Sequence, residues 1–141
     1  MLKLSKKTEY GILAIRHISM LGTNRVATVK EVALENNIPQ PLLAKILQQL
    51  VKERMIRSVQ GSHGGYVMDR DVSEITLADV VEAIEGPIRL TECGAPGGSC
   101  ERINICDLKD SLEPVQAQLY DFFKKLKLID VLNLQQQVKS A

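Results

Sequence analysis

The three cysteines of the chain, Cys93, Cys100 and Cys106, all fall within one stretch, ECGAPGGSCERINIC. Six residues separate the first pair and five the second. Glycine lets a backbone wrap closely around a bound group, and thiolates are suited to zinc or to iron–sulfur clusters. Because the thiols share one Gly/Pro-rich segment, they predict a metal-binding site. Zinc, or three unmodified thiols, remain alternatives to an iron–sulfur cluster.

The composition is that of one globular domain, or of a small domain with a dimerisation arm. Hydrophobic residues make up 45% and charged residues 25% of the 141 positions, which is ordinary for such a protein. The sequence has no apolar run of about 18 residues and no signal-peptide pattern, so we expect a cytoplasmic protein that does not enter membranes. An odd cysteine count in that compartment favours metal or redox chemistry over disulfides.

Charge is distributed unevenly along the chain. Residues 1–70 hold 11 Lys/Arg against 5 Asp/Glu, whereas residues 71–141 hold 7 against 12. The net charge of +1 hides this division. It indicates that the first half of the chain is the part that meets a polyanion.

The first half has the pattern of a helix-turn-helix. A helix is predicted over 5–21, with an inner face formed by Tyr10, Leu13, Ala14, His17 and Leu21. Thr28 and Glu31 match a capping box at the start of a short helix over 29–35. After a tight Asn-Asn turn, a third helix tolerates Pro41 in its first turn. Its predicted inner face is Leu43, Ile46, Leu47, Leu50 and Val51.

A β-hairpin follows this helix pair. Residues 55–59 and 66–68 are typical of strands, and the segment between them carries three glycines. A helix-turn-helix followed by a hairpin predicts a winged helix. The predicted fold class is therefore mainly α with a small β-hairpin wing.

The second half contains a capped helix and a long closing helix. Thr76 caps the first, whose inner face is Ala78, Val81 and Ile84, and Gly86-Pro87 ends it. The second begins near Asp110 and carries an apolar heptad seam that a partner subunit would cover. The seam is Leu112, Val115, Leu119, Phe122, Leu126 and Ile129.

These patterns divide the chain into four parts. Residues 1–86 are predicted to form the winged helix-turn-helix, and residues 87–109 the cysteine-bearing loop. Residues 110–134 are predicted to form the dimerisation helix and residues 135–141 a flexible tail.

Several segments, in order, carry a resemblance over nearly the whole chain. They are LSKKTEYGILAI, IPQPLLAKILQQLVKERMIRSVQGSHGGYVM, ITLADVVEAIEG, the cysteine triplet and the long closing helix. Together they resemble the IscR/NsrR-type family of winged-helix iron–sulfur transcription regulators. The resemblance implies a homodimer that binds a palindromic double-stranded DNA operator. The affinity of the homodimer for DNA would be controlled by an iron–sulfur cluster. Through this cluster the protein would sense cluster or iron status, redox state or nitric oxide.

The resemblance also implies a set of cluster ligands. An iron–sulfur cluster needs four protein ligands, so three thiolates leave one coordination position open. IscR-type members have a histidine three residues beyond the third cysteine, and Lys109 occupies that position here. NsrR-like members take a carboxylate from near the N-terminus of the other subunit, and the matching residue is Glu9. The implied ligands are Cys93, Cys100, Cys106 and a partner Glu9. The missing histidine favours 4Fe–4S slightly over 2Fe–2S. The alternative is that Glu9 is not a ligand but a solvated residue in the first turn of the first helix, where its negative charge interacts favourably with the helix dipole.

DNA contacts follow from the same resemblance. The recognition helix would present Gln40, Pro41, Leu42 and Lys45 to the major groove, with Gln48 and Lys52 further along it. The candidate phosphate contacts are Lys6, Lys7, Thr28 and Lys30. The candidate wing contacts are Arg57, Gln60, Gly61 and His63. Gln60 stands where the family has an arginine, which would shift the reading of DNA to Arg57 or His63.

No pattern in the sequence indicates an enzyme. Neither a nucleophile–base–acid arrangement nor a phosphate-cradling loop is visible. Two functions of other kinds remain open beside the cluster-controlled regulator. One is a cluster-carrying redox protein that uses its winged helix for protein contacts. The other is a cluster-free regulator that responds to a metabolite or a partner protein.

Overall fold

The structure is a computed structural model that describes residues 2–91, 100–102 and 104–132. The described part is mostly helical with a single antiparallel hairpin, which confirms the predicted fold class. A short 3-10 turn, Val72–Glu74, precedes α4. The helices are α1 (Lys6–Met20), α2 (Val29–Asn36), α3 (Gln40–Lys52), α4 (Leu77–Glu85), α5 (Leu108–Lys125) and α6 (Leu128–Leu132); the strands are β1 (Ile56–Val59) and β2 (Gly65–Met68).

Helix α1 has the predicted length but a different inner face. Ser5 caps it by accepting a hydrogen bond from the Thr8 N–H at 3.2 Å. Of the predicted face only Ala14 is fully buried. The reason is Gly11, where an added Cβ would lie 2.3 Å from Ile84 Cδ1, so the missing side chain lets α4 approach closely. That approach turns a different row of α1 inward: Gly11, Ile12, Ile15 and Ile18.

Helix α2 carries only half of the predicted capping box. The Thr28 hydroxyl accepts from the Glu31 N–H at 3.1 Å, as predicted. The Glu31 carboxylate does not return the bond, because it lies 3.1 Å from Arg25 Nη2 and 3.5 Å from His17 Nε2. Its charge therefore ties α2 to the end of α1. Asn37 ends α2 in the left-handed conformation, which makes the tight turn of the helix pair.

Helix α3 agrees closely with the prediction. Pro41 lies in its first turn, where no intrahelical N–H bond is lost. Leu43, Ile46, Leu47 and Leu50 are buried, while Val51 is half-buried. Because this row is buried, the opposite face of α3 is exposed to solvent.

The hairpin is short and is fixed to the helical body. β1 pairs with β2 in antiparallel register from Ile56↔Met68 to Val59↔Gly65, so Met55 precedes the strand rather than beginning it. Ala27 forms a bridge to Tyr66, with N···O distances of 2.9 and 2.8 Å. A Cβ at Gly65 would lie 2.4 Å from the Ala27 carbonyl oxygen. Glycine is therefore required for the close approach that anchors the wing.

Helix α4 has the full capping box that α2 lacks. The Asp79 N–H donates to the Thr76 hydroxyl at 3.1 Å, and the Thr76 N–H donates to the Asp79 carboxylate at 3.0 Å. Ala78, Val81 and Ile84 are buried, as predicted. The α4 row faces α1 and α3 in one shared apolar core.

The closing helix predicted over 110–134 is interrupted within the described residues, where a short extended segment separates α5 from α6. Helix α5 ends at Lys125, and Leu126 is extended. The Leu126 carbonyl accepts from the Leu77 N–H and the Leu128 N–H donates to the Ile75 carbonyl, both at 2.9 Å. Residues 126–128, here called the strap, thus satisfy an amide at the α4 N-terminus that lacks an intrahelical partner.

The strap joins the C-terminal part of the described chain to the winged helix. The Leu128 side chain has 0% exposure and belongs to the core formed by α1, α3 and α4. Earlier in the chain, within α5, the Gln116 side-chain amide accepts from the Leu90 N–H and donates to the Ile88 carbonyl, both at 2.6 Å. The C-terminal part of the described chain is therefore held to the start of α4 by the strap and to the segment after α4 by Gln116.

Candidate DNA interface and cysteine segment

The outward face of α3 is polar and basic. Its buried leucines and isoleucine fix the helix rotation, which leaves the opposite face to solvent. Leu42 is half-buried at the edge of this face and contacts the core. Its exposed members recur at helical spacing: Gln40, Pro41, Lys45, Gln48 and Lys52. The structure therefore places all the predicted recognition residues except Leu42 fully on one accessible surface.

A basic groove runs between α1 and α3. It has a volume of about 360 Å³ and is lined by Lys7, Lys45 and Lys52 together with glutamines of α3. Three ammonium groups on one groove form a surface that attracts phosphate oxygens. Lys52, which the sequence analysis placed further along the recognition helix, lies on the same face as Lys45 because seven residues separate them.

The other predicted phosphate contacts are exposed but differ in their partners. Lys6 lies 3.0 Å from the Glu9 carboxylate, whose hydrogen bond and charge raise the pKa of Lys6 above its ordinary value. Lys30, near the start of α2, is exposed. Thr28 is exposed as well, and its hydroxyl already caps α2. The two lysines of α1 are therefore not equivalent, because Lys6 is paired within its own helix.

The wing tip is exposed and turns sharply. Gly61 has φ = +117°, and the Gly64 N–H donates to the Gly61 carbonyl at 3.1 Å. Gln60, Gly61 and His63 are exposed. Arg57 lies at the base of the hairpin, where its guanidinium is 3.8 Å from the Asp69 carboxylate. The predicted wing residues thus divide between a tip, 60–64, and a paired arginine at the base.

Only part of the predicted cysteine site lies within the described residues. Cys100 and Cys106 are half-buried free thiols just before α5. Cys93 falls outside the described residues. Within 2–91, 100–102 and 104–132, no three His, Cys, Asp or Glu side chains come together as a metal site.

The remaining residues of the predicted cluster site lie on helices. Glu9 is on α1, with 46% of its side chain exposed beside Lys6. Lys109 is exposed in the first turn of α5. Glu9 is accessible to a second chain, as a ligand donated between subunits has to be. Cysteine sulfur is a soft donor that suits iron or zinc, so the residue types of this part of the donor set are compatible with a cluster.

The described helices include none suited to crossing a bilayer. No helix within 2–91, 100–102 and 104–132 is both long and apolar enough to do so. The longest of them, α5, carries charged residues in its first and last turns.

Comparisons with known proteins agree with this architecture. The family model described as "Rrf2: Iron-dependent Transcriptional regulator" matches residues 4–134. The chain is similar to Protein rrf2 of Nitratidesulfovibrio vulgaris, with 30% identity over 105 residues, 74% of this chain and 70% of that protein.

Two solved structures share the fold. The global cysteine regulator CymR of B. subtilis has a TM-score of 0.72 at 24% identity, covering 95% of this chain and 98% of that one. IscR of T. potens has a TM-score of 0.71 at 22% identity, covering 99% and 93%. These structures confirm the predicted winged-helix fold. The match to the family model confirms the predicted IscR-like resemblance and the expectation that the protein is not an enzyme. The chain belongs to the Rrf2 family of DNA-binding transcription regulators.

Proposed function

We propose that the protein is a homodimeric regulator whose affinity for a palindromic operator is controlled by an iron–sulfur cluster. The observation that carries the DNA part is the exposed Gln/Lys face of α3 beside a groove lined by three lysines. The cluster part is supported by two half-buried thiols that precede α5, a helix tied to the segment after α4 at Gln116 and followed by the strap, which pairs with the start of α4.

The proposed dimer forms along α5. Leu112 and Leu119 of the predicted seam are half-buried, and Leu119 lies beside Val81 of α4 in a shared groove. A second row stays uncovered: Leu108, Val115 and Phe122 are 57%, 48% and 59% exposed at seven-residue intervals. Such a stripe needs an apolar cover, and the same stripe on a second copy provides one.

The dimer can be tested at Phe122. A Phe122→Glu variant should sediment as a monomer at concentrations where the wild type is a dimer, because it places a carboxylate in an apolar seam. Ala117→Glu is the matched control, since Ala117 is exposed on the same helix and lies on the opposite side from the uncovered row. A Phe122→Glu protein that remains a dimer would place the interface elsewhere.

For DNA recognition, α3 would enter the major groove. Gln40 can pair with adenine and Lys45 with guanine or phosphate, while Lys6, Lys7, Thr28 and Lys30 contact phosphates. Lys45→Ala should lose about 1–3 kcal/mol of discrimination between bases at one base pair of the operator. Lys7→Ala should weaken binding to all DNA sequences alike and should lower the slope of log affinity against log salt by about 1. Lys124→Ala, on α5, is the control. Equal effects of all three variants would contradict the proposed interface.

For the cluster, Cys93, Cys100 and Cys106 of one subunit and Glu9 of the other would be the ligands, with 4Fe–4S slightly favoured over 2Fe–2S. The cluster would supply a group whose redox state and integrity change with oxygen, nitric oxide or iron supply. A ligand donated across the dimer would fix the relative orientation of the two recognition helices, on which half-site spacing depends.

The ligand set predicts a spectroscopic result. Glu9→Ala should alter the absorption and Mössbauer spectra of anaerobically isolated protein, and Cys100→Ser should abolish the iron signal. Glu74→Ala, another exposed acidic residue, is the control. Spectra that are the same for Glu9→Ala and wild type would exclude Glu9 as a ligand and leave the cysteines in place.

A cluster-free regulator is the second candidate. The fold neighbour CymR is described as a global cysteine regulator, which favours a signal carried by a metabolite or a partner protein. Iron and sulfide analysis of anaerobically purified protein separates the two candidates. We do not retain the cluster-carrying redox protein, because the family consists of transcription regulators.

A further inference from the structure

Polar side chains connect α1 to α2 beside the apolar core. The Asn36 side-chain nitrogen donates to the Val32 carbonyl at 2.8 Å and lies 3.3 Å from His17 Nδ1. Because a carbonyl oxygen only accepts, the group that faces it is the NH₂ of Asn36, whose second hydrogen can reach Nδ1. Nδ1 is therefore the acceptor, and a neutral His17 ring carries its N–H on Nε2.

The second ring nitrogen of His17 faces a carboxylate. This Nε2 is buried and lies 3.5 Å from Glu31 Oε1. Arg25 Nη2 lies 3.1 Å from the same oxygen. The side chains of His17 and Glu31 are 15% and 25% exposed, whereas that of Arg25 is 65% exposed. The carboxylate is thus held between a mostly buried ring and a guanidinium at the surface.

Glu31 contacts both ends of the short segment that leads into α2. Its backbone N–H donates to the Thr28 hydroxyl at 3.1 Å, at the end of this segment, and its carboxylate contacts Arg25 at the start. Between them, Ala27 exchanges two backbone hydrogen bonds with Tyr66 of β2, at 2.9 and 2.8 Å. The wing is therefore bonded to a segment whose two ends are both held by Glu31.

Burial alone does little to fix this segment. From Arg25 to Thr28, Ala27 is the one buried residue, and the two end residues are exposed. Within the described part of the chain, Arg25 forms its ion pair with Glu31 and with no other residue. Ordering an exposed segment costs conformational entropy, so the polar contacts of Glu31 supply much of what holds it in place.

We propose that Glu31 is a positioning residue that sets where the wing lies relative to the recognition helix. It acts through the Ala27–Tyr66 bridge, because a segment released at Arg25 lets the bridge shift and the wing shift with it. The recognition helix α3 depends on Glu31 less directly, since its own buried row fixes its rotation. This inference rests on the proposed DNA-binding function.

The test is a double-mutant cycle in operator affinity, measured at one pH with anaerobically isolated protein and a duplex selected from a random pool. Glu31→Gln keeps the side-chain size and the backbone cap but removes the charge. It is combined with a wing variant, Gln60→Ala with His63→Ala, and separately with Lys52→Ala on α3. Glu31→Gln should weaken binding by about threefold or more in wild type and by clearly less in the wing variant, because both changes act through the wing. With Lys52→Ala the two losses should multiply.

The matched control is Glu35→Gln. Glu35 is exposed on the same helix and belongs to none of the ion pairs among the described residues. This substitution should leave operator affinity unchanged. It shows whether the loss of any acidic side chain from α2 alters DNA binding.

Two results would overturn this inference alone. One is an operator affinity that Glu31→Gln leaves unchanged, and the other is a loss that multiplies fully with that of the wing variant, as a purely structural role requires. If Glu31→Gln does not fold, Arg25→Gln repeats the cycle at the exposed side of the same contact, with the same expected and contradicting results. Absence of specific binding by wild type would overturn the proposed function as well.

Discussion

Because Leu128 of the strap is buried in the core, we expect it to stabilise the whole winged helix, although Leu128 lies more than forty residues after the end of α4. A Leu128→Ala substitution removes a side chain with 0% exposure from the core shared with α1, α3 and α4. Losing the equivalent of three methylene groups at about 0.8 kcal/mol each gives about 2.4 kcal/mol. The cavity term raises the expected cost to about 3–5 kcal/mol.

The assay is equilibrium urea unfolding at one protomer concentration, because dimerisation makes apparent stability depend on concentration. Val131→Ala is the matched control, since Val131 is on the same short helix and 41% exposed. The control should stay within about 0.5 kcal/mol of wild type. A Leu128→Ala cost as small as that of Val131→Ala would refute the strap as part of the core.

Three further predictions concern single contacts. Gly65→Ala should cost about 1–3 kcal/mol in thermal unfolding, because its Cβ would meet the Ala27 carbonyl at 2.4 Å; no loss would mean that the wing is not anchored there. Thr76→Ala should lower the free energy of unfolding by about 1 kcal/mol through loss of the capping box, and an unchanged value would contradict its role. The pKa of Asp71 is lowered, because the Ser73 N–H and hydroxyl donate to its carboxylate. Its contribution is therefore present above about pH 4 and is lost as pH falls through the lowered value, so an Asp71→Asn variant should differ from wild type at pH 7 and converge with it in acid.

The helices and their caps could be predicted from sequence because their signals are local. The buried row of α3 and the capping box at Thr76 depend on residues within one or two turns of each other. The rotation of α1 could not be predicted, because it follows from Gly11, a position that carries no apolar side chain, meeting Ile84 from a distant helix.

The position at which α5 ends could not be predicted from local sequence patterns either. The heptad spacing continues past Leu126, so a periodic pattern favours an unbroken helix. What ends it is a tertiary interaction, the pairing of the strap with the start of α4.

The candidate DNA interface was predicted in its residue types but not in its grouping. Lys7 and Lys45 come from helices separated by a turn and another helix, and only the packing of α1 on α3 brings them to one groove with Lys52. Similarly, the pairing of Lys6 with Glu9 follows from helical spacing, but its consequence for phosphate binding depends on which face of α1 is exposed.

Cluster-controlled DNA binding can be tested by measuring operator affinity before and after the cluster is removed from anaerobically isolated protein. Absorption spectra recorded on the same samples report the iron–thiolate bands. We expect removal of the cluster to abolish these bands and to change operator affinity by about 5- to 150-fold, the usual range of coupling between two sites. A protein that has no visible bands, or one whose affinity is unchanged when the bands are lost, would contradict it.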